Sequence, residues 1–197
     1  MPERCQWVDL RKPDYVAYHD CEWGVPIHDD HKMFEFLMLE SAQAGLSWYT
    51  VLKKRENYRH IFDGFDPEKI ARYDHHKVEQ LLQNPGIIRN RLKIEAAINN
   101  ARCYLELLAK EGSFAEYLWQ FIGGTPRINK PRKISDYTAT TPESDRMSQA
   151  LKSWGFKFVG PTICYAHMQA TGMVNDHLLG CYRRNEIISG YAKRTLM

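Results

Sequence analysis

Four potential metal ligands lie near the two ends of this chain, and they restrict its fold more than any other feature of the sequence. They are Cys5, His19, His177 and Cys181. Because Cys181 follows His177 by four positions, one turn of helix would present both side chains on one face. Two thiolates and two imidazoles complete the tetrahedral coordination of zinc and leave no position for water, as in structural sites. The sequence therefore predicts one structural Zn2+ that ties the two ends of the chain together.

The competing interpretation is that these residues are ordinary buried cysteines and histidines. The two pairs lie too far apart in the sequence for a standard zinc-finger motif. The chain has five cysteines, an odd number without the spacing of a disulfide framework, which is typical of the reduced cytoplasm. The first ten residues lack the apolar segment of a signal peptide, and no apolar run approaches the ~20 residues of a membrane span. We therefore expect a cytoplasmic protein with no membrane partner.

Size and composition predict one globular domain. The chain has 197 residues, of which 44% are hydrophobic, and this is enough to form a core. Its net charge of +3 permits binding to nucleic acid without demonstrating it. Basic residues cluster at positions 53–55, 89–93, 127–133 and 183–184. Any single cluster is also typical of a solvated surface. We expect a monomer with one domain over residues 1–185 and a flexible polar tail over residues 186–197.

The spacing of apolar residues predicts an all-α fold of about nine short helices. The clearest helices are expected over residues 29–44, 90–110, 143–154 and 161–171. Asp66 and Asp74 are suited to cap the starts of two further helices, and Gly112 is suited to end the longest one. We find no alternating pattern that indicates a strand, and no internal repeat.

Residues 155–172 predict the end of a helix, a tight hairpin and a second helix. Phe156 and Phe158 are expected to anchor the connection in the core, and Pro161 suits the first position of the new helix. The free backbone N–H groups at that position, together with Lys157, can hold a DNA phosphate without contacting a base. The same spacing also fits an ordinary turn between two helices, so this segment alone does not decide between the two interpretations.

Aromatic residues are concentrated in the N-terminal quarter of the chain. They are Trp7, Tyr15, Tyr18, Trp23, Trp48 and Tyr49. Glu40 falls on the apolar side of its helix, where a carboxylate is costly unless it has a partner. A pocket of aromatic faces with one carboxylate suits a flat, cationic base. The alternative is that the aromatic residues form core and that Glu40 pairs with a local arginine or caps a backbone N–H.

Several stretches of the sequence carry a resemblance to a known family. They include YVAYHDCEWGVP at residues 15–26, FEFLMLESAQAGLSWYTVLKKRENYR at residues 34–59, GIIRNRLKI at residues 86–94 and GFKFVGPTICYAHMQATGMVNDH at residues 155–177. With RCQWV at residues 4–8 and the following Cys181, they cover nearly the whole chain in order. The sequence resembles 3-methyladenine DNA glycosylase I, the constitutive bacterial type of the helix-hairpin-helix superfamily.

The resemblance implies an all-helical fold of two lobes with a base pocket between them, and it implies zinc at the four ligands named above. It implies that the pocket is built by Trp7, Tyr18, Glu40 and Trp48. It also implies that a loop enters the DNA stack beside the lesion and that the hairpin grips the backbone. The residues expected to contact DNA are Gln43, Gly45, Leu46, Lys157, Val159, Gly160 and Thr162.

One departure concerns the wider superfamily, many members of which carry a catalytic lysine in the hairpin or a catalytic aspartate after it. Lys157 precedes Val159 in this hairpin, and the family that the chain resembles lacks the usual aspartate. Asp176 lies at a suitable distance after the hairpin, but it is next to His177. We therefore expect Asp176 to hold the imidazole of that ligand.

The resemblance implies an enzyme that flips 3-methyladenine out of alkylated double-stranded DNA and hydrolyses its glycosidic bond, leaving an abasic site and the free base. The methylated base is a cation whose bond to the sugar is already weak, so little acid assistance is needed. Glu40 is expected to be the catalytic residue, accepting hydrogen bonds from the exocyclic amine. A DNA-binding module without enzymatic activity is the alternative, but it has no need of a carboxylate in an aromatic slot. Four protein ligands argue against a zinc hydrolase.

Overall fold

The structure is a computed structural model that describes the backbone of residues 3–195 and the side chains of residues 3–190. This part of the chain is mostly helical, as the sequence predicts. Its α-helices are α1 (Pro13–Cys21), α2 (Asp30–Gln43), α3 (Trp48–Leu52), α4 (Arg55–Ile61), α5 (Pro67–Ala71), α6 (His75–Gln83), α7 (Arg91–Glu111), α8 (Phe114–Trp119), α9 (Pro142–Ser153), α10 (Pro161–Ala170) and α11 (Tyr182–Thr195). Short 3-10 helices cover Asp63–Phe65, Gln120–Ile122 and Ile134–Asp136.

The helix boundaries follow the polar caps that the sequence offers. The Asp66 side chain accepts hydrogen bonds from the first N–H groups of α5, and Asp74 does the same for α6. Gly112 ends α7 with a φ of 85°, a conformation that glycine adopts without strain. Asp29 caps α2, and Asp30 instead accepts from Ser113 and so joins α2 to the start of α8. The caps at Asp66, Asp74 and Gly112 are confirmed.

Helix α2 connects the two hydrophobic clusters of the molecule. Met33, Phe34 and Leu37 have no solvent exposure and belong to the larger cluster, where α2 packs against α7, α8 and α10. Phe36 on the same helix belongs to a second cluster, which includes Cys5 and other residues from both ends of the chain. Residues of α2 that face this second cluster therefore lie beside the chain termini.

Two short strands depart from the predicted fold. They are β1 (Arg127–Ile128) and β2 (Val174–Asn175), and they pair in parallel, with Arg127 opposite Val174. Strands of two residues are too short for an alternating pattern to reveal. Their pairing places the segment after β1 beside the turn that carries His177 and Cys181.

The C-terminal region also differs from the prediction. The segment from His177 to Cys181 is a turn rather than a helix, and the N–H of Cys181 donates to the carbonyl oxygen of Leu178. The polar tail then forms α11, whose Ile187 side chain is buried. The described part of the predicted tail, residues 186–195, lies within this helix. None of the described helices is both long and apolar enough to span a membrane.

Candidate active site and metal centre

The four predicted metal ligands come together in the structure. Cys5, His19, His177 and Cys181 are all buried, and their ligand atoms lie within 4.8 Å of one another. The Sγ atom of Cys181 is 3.4 Å from Nε2 of His19 and 3.4 Å from Nδ1 of His177, and Sγ of Cys5 is 3.5 Å from the same Nδ1. Tetrahedral zinc, with Zn–S near 2.3 Å and Zn–N near 2.0 Å, separates sulfur and nitrogen ligands by roughly 3.5 Å. The four side chains therefore fit a zinc ion.

The two thiols of this cluster have opposite pKa shifts. The hydrogen bond between them lowers the pKa of Cys181 and raises the pKa of Cys5, and both imidazoles further lower the pKa of Cys181. These contacts therefore favour the thiolate form of Cys181. Cysteine binds metal ions in the thiolate form, so this pKa shift favours coordination.

Neighbouring groups orient both imidazole rings. The Nδ1 atom of His19 is 2.8 Å from a carboxylate oxygen of Asp20. Two nitrogens of Arg4 donate to the same carboxylate at 2.8 and 2.7 Å, and they hold the pKa of Asp20 well below its usual range. The Nε2 atom of His177 is 3.0 Å from the carbonyl oxygen of Trp23. Each ring thus points its other nitrogen at the cluster, as in proteins that fix their metal ligands with outer hydrogen bonds.

The predicted role of Asp176 is wrong. Its Oδ1 atom accepts from Asn129 at 2.6 Å, and its Oδ2 atom accepts from Tyr165 at 2.6 Å and from Gln169 at 2.8 Å. No hydrogen bond joins it to the ring of His177 within the described residues, because the chain runs on as a turn and directs the two adjacent side chains differently. The carboxylate that orients a ligand is Asp20, and its position next to His19 in the sequence was the available signal.

A cavity of about 290 Å³ lies next to the metal cluster. It contains all four residues that the resemblance implies for a base pocket, namely Trp7, Tyr18, Glu40 and Trp48. The other residues of its lining are Tyr15, Trp23, Gln43, Ile134, Tyr137, Thr138, Ala166 and Gln169. The lining from residue 134 onward comes from parts of the chain that the sequence did not connect to a pocket, namely the segment after β1 and helix α10.

Glu40 is the acidic side chain of the cavity lining. It is 2% exposed, and its Oε2 atom has no hydrogen-bond partner within the described residues. Burial raises its pKa to about 8, so at neutral pH the carboxyl group is mostly protonated. The nearby arginines bond elsewhere, since Arg55 donates to Glu22 and Arg59 donates to Glu35. The alternative in which a local arginine or backbone N–H satisfies Glu40 is therefore not observed in the described part of the chain.

Aromatic rings connect the cavity to the metal cluster. The rings of Tyr18 and Trp48 lie 5.3 Å apart in the cavity, and the indole Nε1 of Trp48 is buried without a partner among the described residues. Trp7 contacts Trp23 at 4.9 Å, and Trp23 contacts His177 at 4.6 Å. These edge-on arrangements are favourable for aromatic pairs. The position of the cavity walls thus depends on the metal ligands.

The loop after α2 presents an apolar side chain to solvent. Gly45 has a φ of 79° and turns the chain, and Leu46 is 41% exposed. Lys93 of α7 donates to the carbonyl oxygens of Ala42 and Ala44, at 2.9 and 2.6 Å, and so fixes the end of the helix. Gln43 lines the cavity beside Glu40, so the loop begins at the edge of that cavity. The sequence did not indicate the role of Lys93.

Helices α9 and α10 are joined by the predicted tight hairpin. Phe156 and Val159 are buried, while Lys157 and Thr162 are exposed. Gly160 precedes α10, and a Cβ atom at this glycine would meet nothing within 4 Å. The backbone at the start of α10 is therefore open to a partner. The Val159 side chain points inward, so only its backbone is available for contact.

Two features of the hairpin were not predicted correctly. Phe158 is 36% exposed and has a φ of 55°, so it does not anchor the connection in the core. It lines a surface cavity together with Ala42 and Lys93, which places the hairpin beside the Leu46 loop. Asn100 of α7 holds the hairpin, because its side-chain amide bonds both the N–H and the carbonyl oxygen of Lys157, at 2.7 and 2.9 Å.

Comparison with known proteins agrees with this geometry. The family described as methyladenine glycosylase matches residues 7–184. The chain is 52% identical to DNA-3-methyladenine glycosylase 1 of Escherichia coli (strain K12) over 179 residues, which cover 91% of this chain and 95% of the relative. It is 45% identical to DNA-3-methyladenine glycosylase of Haemophilus influenzae (strain ATCC 51907 / DSM 11121 / KW20 / Rd) over 181 residues, which cover 92% of this chain and 97% of that relative.

Solved structures show the same architecture. A crystal structure of 3-methyladenine DNA glycosylase I superposes with a TM-score of 0.89 at 54% identity and covers 91% of this chain and 98% of its own. A structure of 3-methyladenine recognition by the Staphylococcus aureus enzyme superposes with a TM-score of 0.86 at 37% identity, covering 88% of this chain and 93% of its own. The sequence match, the shared fold and the cavity together show that this chain belongs to the methyladenine glycosylase family.

Proposed function

We propose that this protein is a DNA-3-methyladenine glycosylase, which acts as a monomer on alkylated double-stranded DNA and releases the free base. The single observation that carries the proposal is the buried carboxyl group of Glu40, which lies in an aromatic cavity and has no partner for Oε2 among the described residues. A buried polar group without a partner is costly, and a ligand that bonds to it removes that cost. The family relationship supports the release of a methylated base from DNA. The aromatic cavity with one acidic side chain supports a flat, cationic base as the substrate.

The cavity suits the charge and shape of 3-methyladenine. Trp7, Tyr18 and Trp48 would stack on the extruded base or contact its edges, and aromatic faces attract a cation by about 0.5–2 kcal/mol. A cationic base beside Glu40 would lower the pKa of the carboxyl group and favour the carboxylate. Glu40 would then accept a hydrogen bond from the exocyclic amine and stabilise the positive charge of the reacting nucleotide.

The reaction itself requires little further chemistry. The electrons of the glycosidic bond pass to the cationic base, which leaves as a neutral molecule. Water adds to the anomeric carbon of the sugar and loses a proton, and the product is an abasic site. Glu40 is the acidic group of the cavity lining. We assign it the role of stabilising the positive charge of the nucleotide during this step.

Two surface elements would hold the DNA. The exposed side chain of Leu46, on the loop with Gln43 and Gly45, would fill the gap that the flipped nucleotide leaves, because flipping costs a few kcal/mol in lost stacking and pairing. The hairpin would bind the backbone as a helix-hairpin-helix motif. Its contacts would come from Lys157, Thr162 and the N–H groups around Val159 and Gly160, since the start of a helix attracts phosphate.

We also propose that the metal of the cluster is zinc and that its role is structural. The four side chains fill a tetrahedral set, which leaves no position for a substrate or water. Bound zinc would supply a cross-link between the N-terminal segment and the turn before α11. The reaction described above uses none of the four ligands.

The direct test is to incubate the protein with methylated DNA and to separate the released bases by chromatography. We expect 3-methyladenine to be released by the wild type, and Glu40→Gln to lower the single-turnover rate at least about 100-fold, as for other electrostatic catalytic groups. Glu111→Gln, an exposed residue at the end of α7, is the matched control and should keep full activity. Wild-type rates in Glu40→Gln would show that Glu40 has no catalytic role, and a wild type that binds DNA but releases no base would identify a binding module.

A further inference from the structure

Gln169 lines the base cavity, and one end of its side-chain amide is held by a hydrogen bond. It lies on α10 and lines the cavity with Glu40. Its Nε2 atom is 2.8 Å from Oδ2 of Asp176. The Oδ2 atom accepts this hydrogen bond, so the bonded end of the amide is the NH2 group. The other end is the carbonyl oxygen Oε1, and none of the hydrogen bonds seen among the described residues involves it.

The orientation of this amide is set from behind the cavity. Asp176 is 2% exposed, and it also accepts hydrogen bonds from Asn129 and Tyr165, both at 2.6 Å. Asn129 follows β1 directly, while Tyr165 and Gln169 lie one turn apart on α10. The carboxylate of Asp176, held by these two donors, therefore decides which end of the Gln169 amide is bonded and which is free.

We propose that Gln169 reads the exocyclic group of the extruded base, and that Asp176 positions it for this role. This inference rests on the proposed function. A carbonyl oxygen in the cavity can accept a hydrogen bond from the 6-amino group of 3-methyladenine. In 3-methylguanine the same position carries an oxygen, so two acceptors would face each other and neither would be satisfied. Sites that leave a buried polar group unpaired discriminate strongly against such a base.

The first test removes the acceptor and keeps the shape of the side chain. Gln169→Met and the wild type are compared in single-turnover release of 3-methyladenine and 3-methylguanine from the same methylated DNA. We expect release of 3-methyladenine to fall roughly tenfold, the usual value of one neutral hydrogen bond, and release of 3-methylguanine to change little. Gln120→Met is the control, because Gln120 is exposed and bonds only to the carbonyl oxygen of Tyr117.

The second test reverses the amide instead of removing it. In Asp176→Asn the new side chain can donate to Oε1 of Gln169, so the NH2 group of Gln169 is free to face the cavity. We expect the ratio of 3-methyladenine to 3-methylguanine release to fall further than in Gln169→Met. Tyr165→Phe removes a different donor from Asp176 and leaves Gln169 bonded to the carboxylate, so it should keep a ratio close to that of the wild type.

Two further measurements separate this role from a structural one. Because Asp176 precedes the metal ligand His177 in the chain, the zinc content of each variant is determined. Tryptophan fluorescence titrations with free 3-methyladenine and free 3-methylguanine measure base selectivity without catalysis, since Trp48 and Trp7 line the cavity. For Gln169→Met and Asp176→Asn, we expect the ratio of base release and the binding selectivity to shift in the same direction.

An unchanged ratio in both variants, or an equal loss of both bases with normal zinc content, would overturn the inference while the proposed function stands. A shift in Tyr165→Phe as large as that in Asp176→Asn would overturn the positioning role of Asp176. A wild type that releases neither base would contradict the proposed function itself, and the fluorescence titration would still decide whether Gln169 selects the amino group.

Discussion

The metal cluster and the cavity beside it share aromatic walls, but they treat buried polar atoms in opposite ways. In the cluster each imidazole has a hydrogen-bond partner for one nitrogen and a ligand position for the other. In the cavity, Glu40 Oε2 and Trp48 Nε1 are buried and have no partner in the part of the chain that the structure describes. The first arrangement stabilises the fold, whereas the second costs stability until a ligand arrives. Neighbouring buried groups can therefore serve stability in one place and function in another. Substitutions in the cluster and in the cavity should change the unfolding free energy in opposite directions.

The largest expected effect comes from the cluster. Cys5→Ser removes one of four ligands, and we expect a loss of about 5 kcal/mol of stability, because metal binding is coupled to folding. Thermal unfolding with and without a chelator measures the loss, together with the zinc content. The matched control is Cys21→Ser, since Cys21 is an exposed free cysteine on α1. A metal-free Cys5→Ser protein with full stability would contradict the structural role of zinc.

A gain in stability is expected next, in the cavity. The pKa of Glu40 rises from 4.5 in the unfolded chain to about 8 in the folded protein. The folded state therefore holds a proton that the unfolded state releases, and the stability from this site decreases as pH rises from 4.5 to 8. Glu40→Gln escapes this loss, so it should be more stable than the wild type by about 3 kcal/mol at pH 7.

Chemical denaturation of both proteins between pH 4.5 and pH 8.5 measures this difference. It should be near zero at the acidic end and largest above pH 8, and Glu111→Gln should show no such trend. A difference that does not vary with pH would mean that Glu40 is not protonated in the folded protein.

A smaller loss of stability is expected when a metal-binding side chain is kept but the group that orients it is removed. Asp20→Asn replaces the carboxylate that joins Arg4 to His19. Removing such a group typically lowers metal affinity 10- to 100-fold, so we expect a loss of about 2 kcal/mol in stability at limiting zinc. Zinc competition with a chromophoric chelator measures the affinity. Asp9→Asn breaks an arginine–carboxylate pair at the surface instead and should leave the zinc affinity unchanged.

The smallest effect on stability is expected at the rim of the cavity. Leu46 is exposed on its loop, so Leu46→Ala should change the unfolding free energy by less than about 0.5 kcal/mol. Base release should nevertheless slow by roughly tenfold, because the extruded nucleotide leaves a gap that alanine does not fill. Release from single-stranded methylated DNA should be less affected. A large loss of stability in Leu46→Ala would show that this side chain belongs to the core.

The sequence predicted the chemically active residues of the site better than the residues that hold the surrounding segments in place. Cysteine and histidine are rare enough that four of them at the chain ends indicated a metal, and Glu40 stood out on an apolar helix face. Lys93 and Asn100 were not predicted, because each bonds the backbone of a segment that is distant in the sequence. Phe158 was misplaced because apolar character alone does not reveal a backbone with positive φ.

The C-terminal region shows the same limit. The residues after Cys181 are mostly polar, and a polar segment is typical of a frayed tail. Helix α11 nevertheless forms, with Ile187 buried and with the side chain of Asn175 donating to the carbonyl oxygen of Arg184. One buried residue and one hydrogen bond from another segment are tertiary features, and a local pattern does not contain them.

The raised pKa of Glu40 has a consequence for travel along undamaged DNA. A protein that slides on a polyanion is repelled by any carboxylate turned toward the strands. A mostly uncharged Glu40 would add little to that repulsion while the cavity is empty, and under the proposed function its negative charge would become dominant when a cationic nucleotide enters. We therefore expect the damaged base itself to bring out the charge that stabilises it.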